Sequence, residues 1–228
     1  MEEDKNTKRK HFYQNKFLLI IFFVGFTILL EYIYELTNTT TIVASQDVFP
    51  SWISSLDASI LVQINPALTN PIINTIFYVI TQMGRASVIV FFSLLFHFFG
   101  HKKEAILIFI SLLIGTITIF LLKELISRPR PFLTLPTVIP FINELGTSFP
   151  SGHSTRLFVF SAVVTRKLSL CSSALYLLSF LVAFSRLYLG IHYPLDVFVG
   201  AIVGWTIGKI TLRREKRIID FVSNIVPF

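Results

Sequence analysis

Long runs of apolar residues alternate with short polar stretches along this chain. A helix that crosses a bilayer needs about 20 predominantly apolar residues, and interfacial aromatic residues together with long basic side chains complete shorter runs. The pattern therefore predicts an all-α integral membrane protein, a bundle of six transmembrane helices. The predicted spans are Phe17–Leu30, Ala86–Gly100, Glu104–Leu122, Ser154–Leu170, Ser172–Leu189 and Leu195–Leu212.

The first apolar run has a second interpretation, as the core of a cleaved signal peptide. Small residues at 43–45, Val-Ala-Ser, have the character of a cleavage site. This site lies well beyond the apolar run, and Glu31 and Glu35 stand between the two. A retained first span is therefore favoured.

The segment 37–85, between the first two spans, carries a weaker apolar pattern. Apolar residues recur there at helical spacing at Trp52, Ile53, Leu56, Ile60 and Ile64. Asn70 followed by Pro71 is typical of a helix start. We predict two amphipathic helices that lie in the membrane interface between the first and second spans. The alternative is that Pro71–Met83 crosses the membrane, which gives seven spans and reverses the orientation of all later segments.

The basic residues decide between six and seven spans, because cytoplasmic loops carry an excess of Lys and Arg. Six spans with a cytoplasmic N-terminus put 14 of the 20 Lys and Arg residues inside. The six left outside are Arg85, Lys123, Arg128, Arg130, Arg156 and Arg186. Seven spans would put the basic clusters at 101–103, 166–167 and 213–217 outside, so we reject them. The chain then divides into a cytoplasmic tail 1–16, a membrane domain 17–212 and a cytoplasmic tail 213–228.

The composition agrees with a single membrane domain. Hydrophobic residues make up 53% of the 228 residues and charged residues 14%, whereas a soluble domain carries about 25% charged residues. The formal charge of +7 suggests nucleic-acid binding, but its placement serves orientation and contact with anionic lipid, so we expect no nucleic-acid partner. The single cysteine, Cys171, excludes an internal disulfide.

Three polar stretches, 123–131, 150–153 and 185–196, fall on the outer face in the six-span arrangement. They bring Lys123, Arg130 and Arg186 to a face where basic residues are otherwise scarce. A lone Lys at a helix end more often extends to the headgroups, and an Arg beside prolines is often only solvated. Three cations together favour a phosphate ligand, because Arg offers a bidentate fork and Lys a point charge to phosphate oxygens.

The other polar residues of these stretches suit phosphate chemistry. Ser151 can cap a helix, Gly152 permits close backbone approach, and a helix N-terminus favours an anion. Asp196 can accept from one ring nitrogen of His192, which leaves the other nitrogen nucleophilic, and His153 suits a general acid. A purely structural hydrogen bond is the alternative for the His192 and Asp196 pair. A metal site made of His153, His192 and Asp196 is disfavoured, because the neighbouring cations would repel a divalent ion.

These residues resemble the signature of the type 2 phosphatidic acid phosphatase superfamily. Its three elements are present in order as Lys123 to Arg130-Pro131, Pro150 to His153, and Ser185-Arg186 to His192 and Asp196. The resemblance implies a phosphatase without a metal or other cofactor, in which His192 attacks phosphorus, Asp196 orients it, and His153 protonates the leaving oxygen and then activates water. It further implies that the phosphate oxygens are held by Lys123, Arg130, Ser151, Gly152 and Arg186.

The membrane members of that family act on lipid phosphates, and six spans favour a substrate that reaches the site sideways from the bilayer. The candidates are phosphatidate, diacylglycerol pyrophosphate, phosphatidylglycerol phosphate and, favoured here, undecaprenyl pyrophosphate. We expect a multi-pass protein of the cell membrane with both termini cytoplasmic and the active site facing outside. The superfamily also contains vanadate-dependent haloperoxidases. A non-catalytic protein that binds or transports lipid phosphates is the alternative of a different class.

Overall fold

A computed structural model of the protein describes residues 48–65 and 70–225, together with Gly25. These residues form helices and connecting turns, and no strand occurs among them, which confirms the predicted all-α class. Apart from Gly25, the predicted first span Phe17–Leu30 lies outside the described residues, as does the tail 1–16. We number the helices α1 Ser51–Ile64, α2 Pro71–Gln82, α3 Ala86–Phe98, α4 Lys102–Ile126, α5 Pro131–Thr134, α6 Gly152–Val164, α7 Ser172–Tyr188, α8 Pro194–Arg213 and α9 Glu215–Ile225.

Three helical stretches of the described chain are long and apolar enough to cross a membrane. They are Lys102–Thr134, Ser169–Tyr188 and Pro194–Arg213. They overlap the predicted spans that begin at Glu104, Ser172 and Leu195, of which the second, Ser172–Leu189, extends one residue further than the helix. Helices α2 and α3 pass the same test only as a pair, bent by 53° between them. The pair would count as a fourth span, so the predicted span at Ala86 is here one limb of a bent element. The number six stays a prediction.

The predicted span Ser154–Leu170 needs a correction. Helix α6 has 13 residues and ends at Val164, so it is about 20 Å long and shorter than the hydrocarbon core. The helix ends just before Arg166 and Lys167. The side chain of Arg166 pairs with Glu215, and that of Lys167 pairs with Glu104. Ten of the 13 residues are buried, so α6 is the central helix of the bundle.

The segment between the first two predicted spans is helical where the structure describes it. Helices α1 and α2 begin at Ser51 and Pro71, and the side chain of Asn70 caps α2 by accepting from the amides of residues 72 and 73. In α1 the apolar residues Trp52 and Leu56 are 70% and 55% exposed, whereas Asp57 and Leu61 are buried. The helix therefore turns Trp52 and Leu56 outward and its acidic residue Asp57 toward the protein.

Close packing of α6 against α8 positions the starts of both helices. Three glycines on α8 make this possible, because a Cβ at Gly204 would lie 2.2 Å from the Thr155 carbonyl oxygen, and one at Gly200 would lie 2.6 Å from that of Ser151. Hydrogen bonds tie the same ends together, as Ser154 Oγ donates to the Val197 carbonyl at 2.9 Å. Small residues at such spacing let helix backbones approach in membranes. The Pro-Ser-Gly-His stretch and the His192–Asp196 stretch thereby meet.

Within the segment that the sequence interpretation assigned to a tail, residues 213–228, the structure describes a helix over Glu215–Ile225. Helix α9 follows α8 after a turn at Arg214, and its Ile218 and Ile219 pack against the main apolar core. Other residues of the helix, such as Phe221, are exposed. The sequence analysis used the basic residues of this segment only to orient the protein in the membrane. The amphipathic spacing of its apolar residues was the feature that indicated a helix.

Candidate active site

The three polar stretches of the sequence converge at one end of the bundle. Lys123 lies in the last turn of α4, Arg186 in the last turn of α7, and Asp196 in the first turn of α8. Arg130 and His192 lie in the connections that precede α5 and α8. All five side chains belong to residues at most 5% exposed. Burying a cluster of cations around a buried histidine costs folding free energy. Such a cluster therefore indicates a functional site.

His192 lies between a carboxylate and a guanidinium. Its Nε2 is 3.4 Å from Arg130 Nη1, and its Nδ1 is 3.4 Å from Asp196 Oδ2. The second distance exceeds the range of about 2.7–3.2 Å for N–H···O bonds, and catalytic hydrogen bonds often tighten only when substrate binds. Burial lowers the pKa of His192 to about 3, with Arg130 and Arg186 adding to the effect and Asp196 partly opposing it. The imidazole is therefore neutral at pH 7, as a nucleophile must be.

Asp196 is held in place by more than His192. Its Oδ2 accepts from the Tyr193 amide at 2.9 Å, and its Oδ1 accepts from Arg128 Nη1 at 2.8 Å. Arg128 in turn pairs through Nη2 with Asp57 of α1 at 2.7 Å. The guanidinium also lies 3.7 Å above the Tyr193 ring. Arg128 thus links Asp196, whose carboxylate faces His192, to helix α1.

Asp57 and Arg128 are supporting residues that the sequence interpretation did not assign to the site. Asp57 Oδ1 accepts from the Leu195 amide at 2.9 Å, next to the start of α8. Burial raises the pKa of Asp57, and the bonds to Arg128 and Leu195 oppose that rise. The available signal was a single acidic residue within an apolar helical pattern. Its partner could not be identified, because Leu195 is 138 residues away along the chain.

The Pro-Ser-Gly-His stretch forms the start of α6 as predicted. Ser151 is the N-cap residue, and its hydroxyl accepts from the Ser154 amide at 3.5 Å, while its own amide donates to the Asp196 carbonyl at 2.9 Å. A Cβ at Gly152 would lie 3.2 Å from the Arg156 guanidinium, so little room is left there. His153 is half-buried and its Nδ1 lies 3.4 Å from Arg156 Nη2. This contact leaves His153 Nε2 as the ring nitrogen for chemistry.

A loop segment that the sequence interpretation did not include, residues 144–147, covers the three cations. Lys123 Nζ donates to the Thr147 carbonyl. Arg130 donates through Nε to the Gly146 carbonyl at 3.1 Å and through Nη2 to the Leu145 carbonyl at 2.9 Å. Two of the three cations that were predicted to hold phosphate, Lys123 and Arg130, are therefore already bound by backbone oxygens of this segment.

Glu144 adds a negative charge to this segment. Its carboxylate pairs with Arg130 Nη1 at 3.1 Å and also with Arg186 Nη2. Burial alone would raise the pKa of Glu144, but Arg186 and Arg130 outweigh that effect, helped by His153 and His192, and hold it well below its usual range. The carboxylate is therefore ionised at pH 7. An acidic residue shortly before Pro-Ser-Gly-His, on a cation-rich face, was the signal that could have found it.

One protein family matches about half of the chain. The family described as the PAP2 superfamily matches residues 104–219, which include all three polar stretches. A curated relative, the undecaprenyl-diphosphatase BcrC of Bacillus subtilis (strain 168), is 29% identical over 127 residues, or 55% of this chain and 65% of that protein. The chain spans about half to two thirds of the length of the curated relatives it matches first.

Two solved structures resemble the fold. The crystal structure of Aquifex aeolicus LpxE superposes with a TM-score of 0.65 at 29% identity, covering 69% of this chain and 95% of that one. The first transmembrane PAP2 type phosphatidylglycerolphosphate phosphatase from Bacillus subtilis superposes with a TM-score of 0.63 at 22% identity, covering 82% and 94%. The second likeness concerns the fold alone. Both support a helical membrane architecture for the described residues.

Proposed function

The chain belongs to the PAP2 superfamily, and we propose that it is a membrane lipid phosphatase that works through a phosphohistidine. The observation that carries this proposal is the position of His192, a neutral buried imidazole with Nε2 toward Arg130 and Nδ1 toward Asp196. Such an imidazole can attack phosphorus with Nε2 while Asp196 stabilises the proton on Nδ1. A structural histidine would need no guanidinium beside its second nitrogen.

In the proposed mechanism the cations stabilise the charge of the transferred phosphoryl group. Arg130, Arg186 and Lys123 offer donors to its oxygens, and the amides at the start of α6, at Ser151 and Gly152, add the favourable end of a helix dipole. His153 gives a proton to the leaving oxygen and then takes one from the attacking water. Positioning and charge stabilisation supply most of the acceleration in phosphoryl transfer.

We further propose that no metal takes part. A metal-dependent phosphatase holds its cations with carboxylates and imidazoles, whereas this site supplies three fixed cations from Lys123, Arg130 and Arg186. These cations already perform the charge neutralisation that a metal would provide. Activity should therefore persist in chelator and fall in orthovanadate, which resembles the pentacoordinate phosphorus opposite His192. Loss of activity in EDTA and recovery in magnesium would contradict metal independence.

The proposed setting is a cell membrane with six spans, the site at the outer face and both tails cytoplasmic. The 14-to-6 division of basic residues supports the orientation. The exposed apolar stripe of α1, with Trp52 and Leu56, supports placement of that helix in the interface. Helix α1 also contacts the site through Asp57, so a lipid headgroup that arrives along the interface would meet the site at this helix.

The proposed substrate class is a lipid phosphomonoester or pyrophosphate, with undecaprenyl pyrophosphate favoured over phosphatidylglycerol phosphate and phosphatidate. The relative named undecaprenyl-diphosphatase supports this order at modest identity. The test is phosphate release by the purified protein in detergent from a panel of these lipids, with His192→Ala as the matched control. Turnover of at least one lipid by the wild type and of none by the variant is expected. Binding without turnover in both proteins would instead indicate a non-catalytic lipid-phosphate binder.

A further inference from the structure

Glu144 is a carboxylate in the middle of a site built from cations. Its Oε2 lies 3.1 Å from Arg130 Nη1, and its Oε1 accepts from Arg186 Nη2. The same Arg130 Nη1 lies 3.4 Å from His192 Nε2. The carboxylate is therefore bound to the donor that lies beside the proposed nucleophile, in the place where phosphate oxygens are expected.

Most of the other donors of the two arginines are directed elsewhere, whereas Arg186 Nε has no hydrogen-bond partner among the described residues. Arg130 uses Nε and Nη2 for the carbonyls of Gly146 and Leu145. Arg186 donates through Nη1 to Thr81 Oγ1 at 3.0 Å. Arg130 Nη1 is the guanidinium nitrogen beside His192 Nε2, so a phosphate that binds there must displace Glu144 from it.

We propose that Glu144 is a resident anion that the substrate phosphate must displace, and that it makes the site selective for strongly charged phosphates. This inference rests on the proposed function. A phosphomonoester or pyrophosphate carries about two or more negative charges near pH 7, and so outcompetes a single carboxylate for two guanidiniums. A phosphodiester headgroup carries one charge, like the carboxylate, and gains no such advantage.

The position of Glu144 allows this exchange. Its side chain is 28% exposed, whereas the side chains of Arg130 and Arg186 are 4% and 0% exposed. It lies in the connection between α5 and α6, so its side chain can turn toward solvent while the helices that carry the arginines stay in place. The neighbouring carbonyls of residues 145–147 are uncharged and can keep Lys123 and Arg130 in position.

Selectivity by charge has a clear use at the surface of a bilayer. Most phospholipids there present phosphodiester groups at high local concentration, and each of them could occupy an open pair of guanidiniums. An internal carboxylate prevents such occupation while it leaves the site available to the rarer monoester or pyrophosphate. Specificity is here a difference in affinity that a repulsive element creates.

Removing the charge of Glu144 distinguishes competition with phosphate from a purely structural role, because the two roles predict opposite changes in phosphate affinity. If Glu144 merely held Arg130 and Arg186 in place, Glu144→Gln would weaken phosphate binding. If it competes with phosphate, the same substitution strengthens binding, because the ligand no longer has to break two ion pairs. Glu144→Ala should act in the same direction. Glu124→Gln is the matched control, since Glu124 is an exposed carboxylate beside Lys123 on α4.

The experiment is calorimetric titration of the detergent-purified full chain with inorganic phosphate and with dimethyl phosphate, a phosphodiester. Removing one solvent-screened charge changes an affinity by about tenfold. We therefore expect Glu144→Gln to bind phosphate about tenfold more tightly than the wild type. Dimethyl phosphate should bind measurably only to the Glu144 variants, and Glu124→Gln should match the wild type. Equal or weaker phosphate binding by both Glu144 variants, with unchanged thermal unfolding, would overturn the inference and leave the proposed function standing. Failure of phosphate to bind any of the proteins would overturn both.

Discussion

Arg128 Nη1 lies 2.8 Å from Asp196 Oδ1, and both residues are buried. This ion pair is shorter than the 3.4 Å that separates Asp196 Oδ2 from His192 Nδ1. Asp196 is therefore anchored first by Arg128, and its orientation of His192 depends on that anchor. Because Arg128 also pairs with Asp57, one arginine compensates two buried carboxylates.

The first prediction concerns this arginine. Arg128→Ala leaves Asp57 and Asp196 buried without a partner charge, and loss of one member of a buried ion pair costs about 3–5 kcal/mol. We expect a marked fall in the thermal unfolding temperature of the detergent-purified protein. Arg166→Ala is the control, because Arg166 is 57% exposed and its pair with Glu215 should contribute about 0–1 kcal/mol. Equal unfolding temperatures for the two variants would contradict the anchoring role of Arg128.

The second prediction concerns the contact between α6 and α8. A Cβ at Gly204 would lie 2.2 Å from the Thr155 carbonyl oxygen, so Gly204→Ala must separate two helices that carry the site. Overpacking of this kind costs about 1–3 kcal/mol. Gly115→Ala on α4 is the control, because its Cβ would meet Val159 at an ordinary 3.5 Å. Thermal unfolding should show a loss for Gly204→Ala alone, and a Gly204→Ala protein as stable and active as the Gly115 variant would refute the packing argument.

The third prediction concerns orientation, for which the chain provides its own reporter. Cys171 is the single cysteine and is exposed, and it lies on the cytoplasmic side in the proposed topology. An impermeant maleimide should therefore fail to label the wild type in intact cells and should label it after lysis. Thr137→Cys in a Cys171→Ser background should be labelled in intact cells, because residue 137 is exposed in the loop before the site. The reverse labelling would place the site in the cytoplasm.

The chemistry of the site could be predicted because it depends on residue type and spacing within short motifs. Lys123, Arg130, His153, Arg186, His192 and Asp196 were recognisable from the sequence, and the structure brings the three stretches that carry them to one end of the bundle. Four of these six side chains are charged in an apolar chain, which is itself a strong signal.

The supporting residues could not be predicted, because their partners are far away along the chain. Glu144 pairs with Arg186 over 42 residues, and Asp57 contacts the Leu195 amide over 138. A periodic pattern assigns a helix but does not say which helices touch. The length of α6 was overestimated for a related reason, since an apolar run in the centre of a bundle looks the same as one that crosses a membrane.

The central claim is that His192 Nε2 forms a bond to phosphorus, and trapping of the phosphoenzyme tests it most directly. Wild-type protein given a lipid pyrophosphate labelled in its terminal phosphate should yield, after alkaline quench, a labelled protein whose label is lost in acid. His192→Ala should give neither label nor turnover. His153→Ala should lose about 10²–10⁴-fold in turnover but still be labelled, since a pyrophosphate needs less help to leave. His101→Ala, at the other end of α4, should behave as the wild type. A folded His192→Ala protein that turns over at near-normal rate, or that carries the same acid-labile label, would contradict the mechanism.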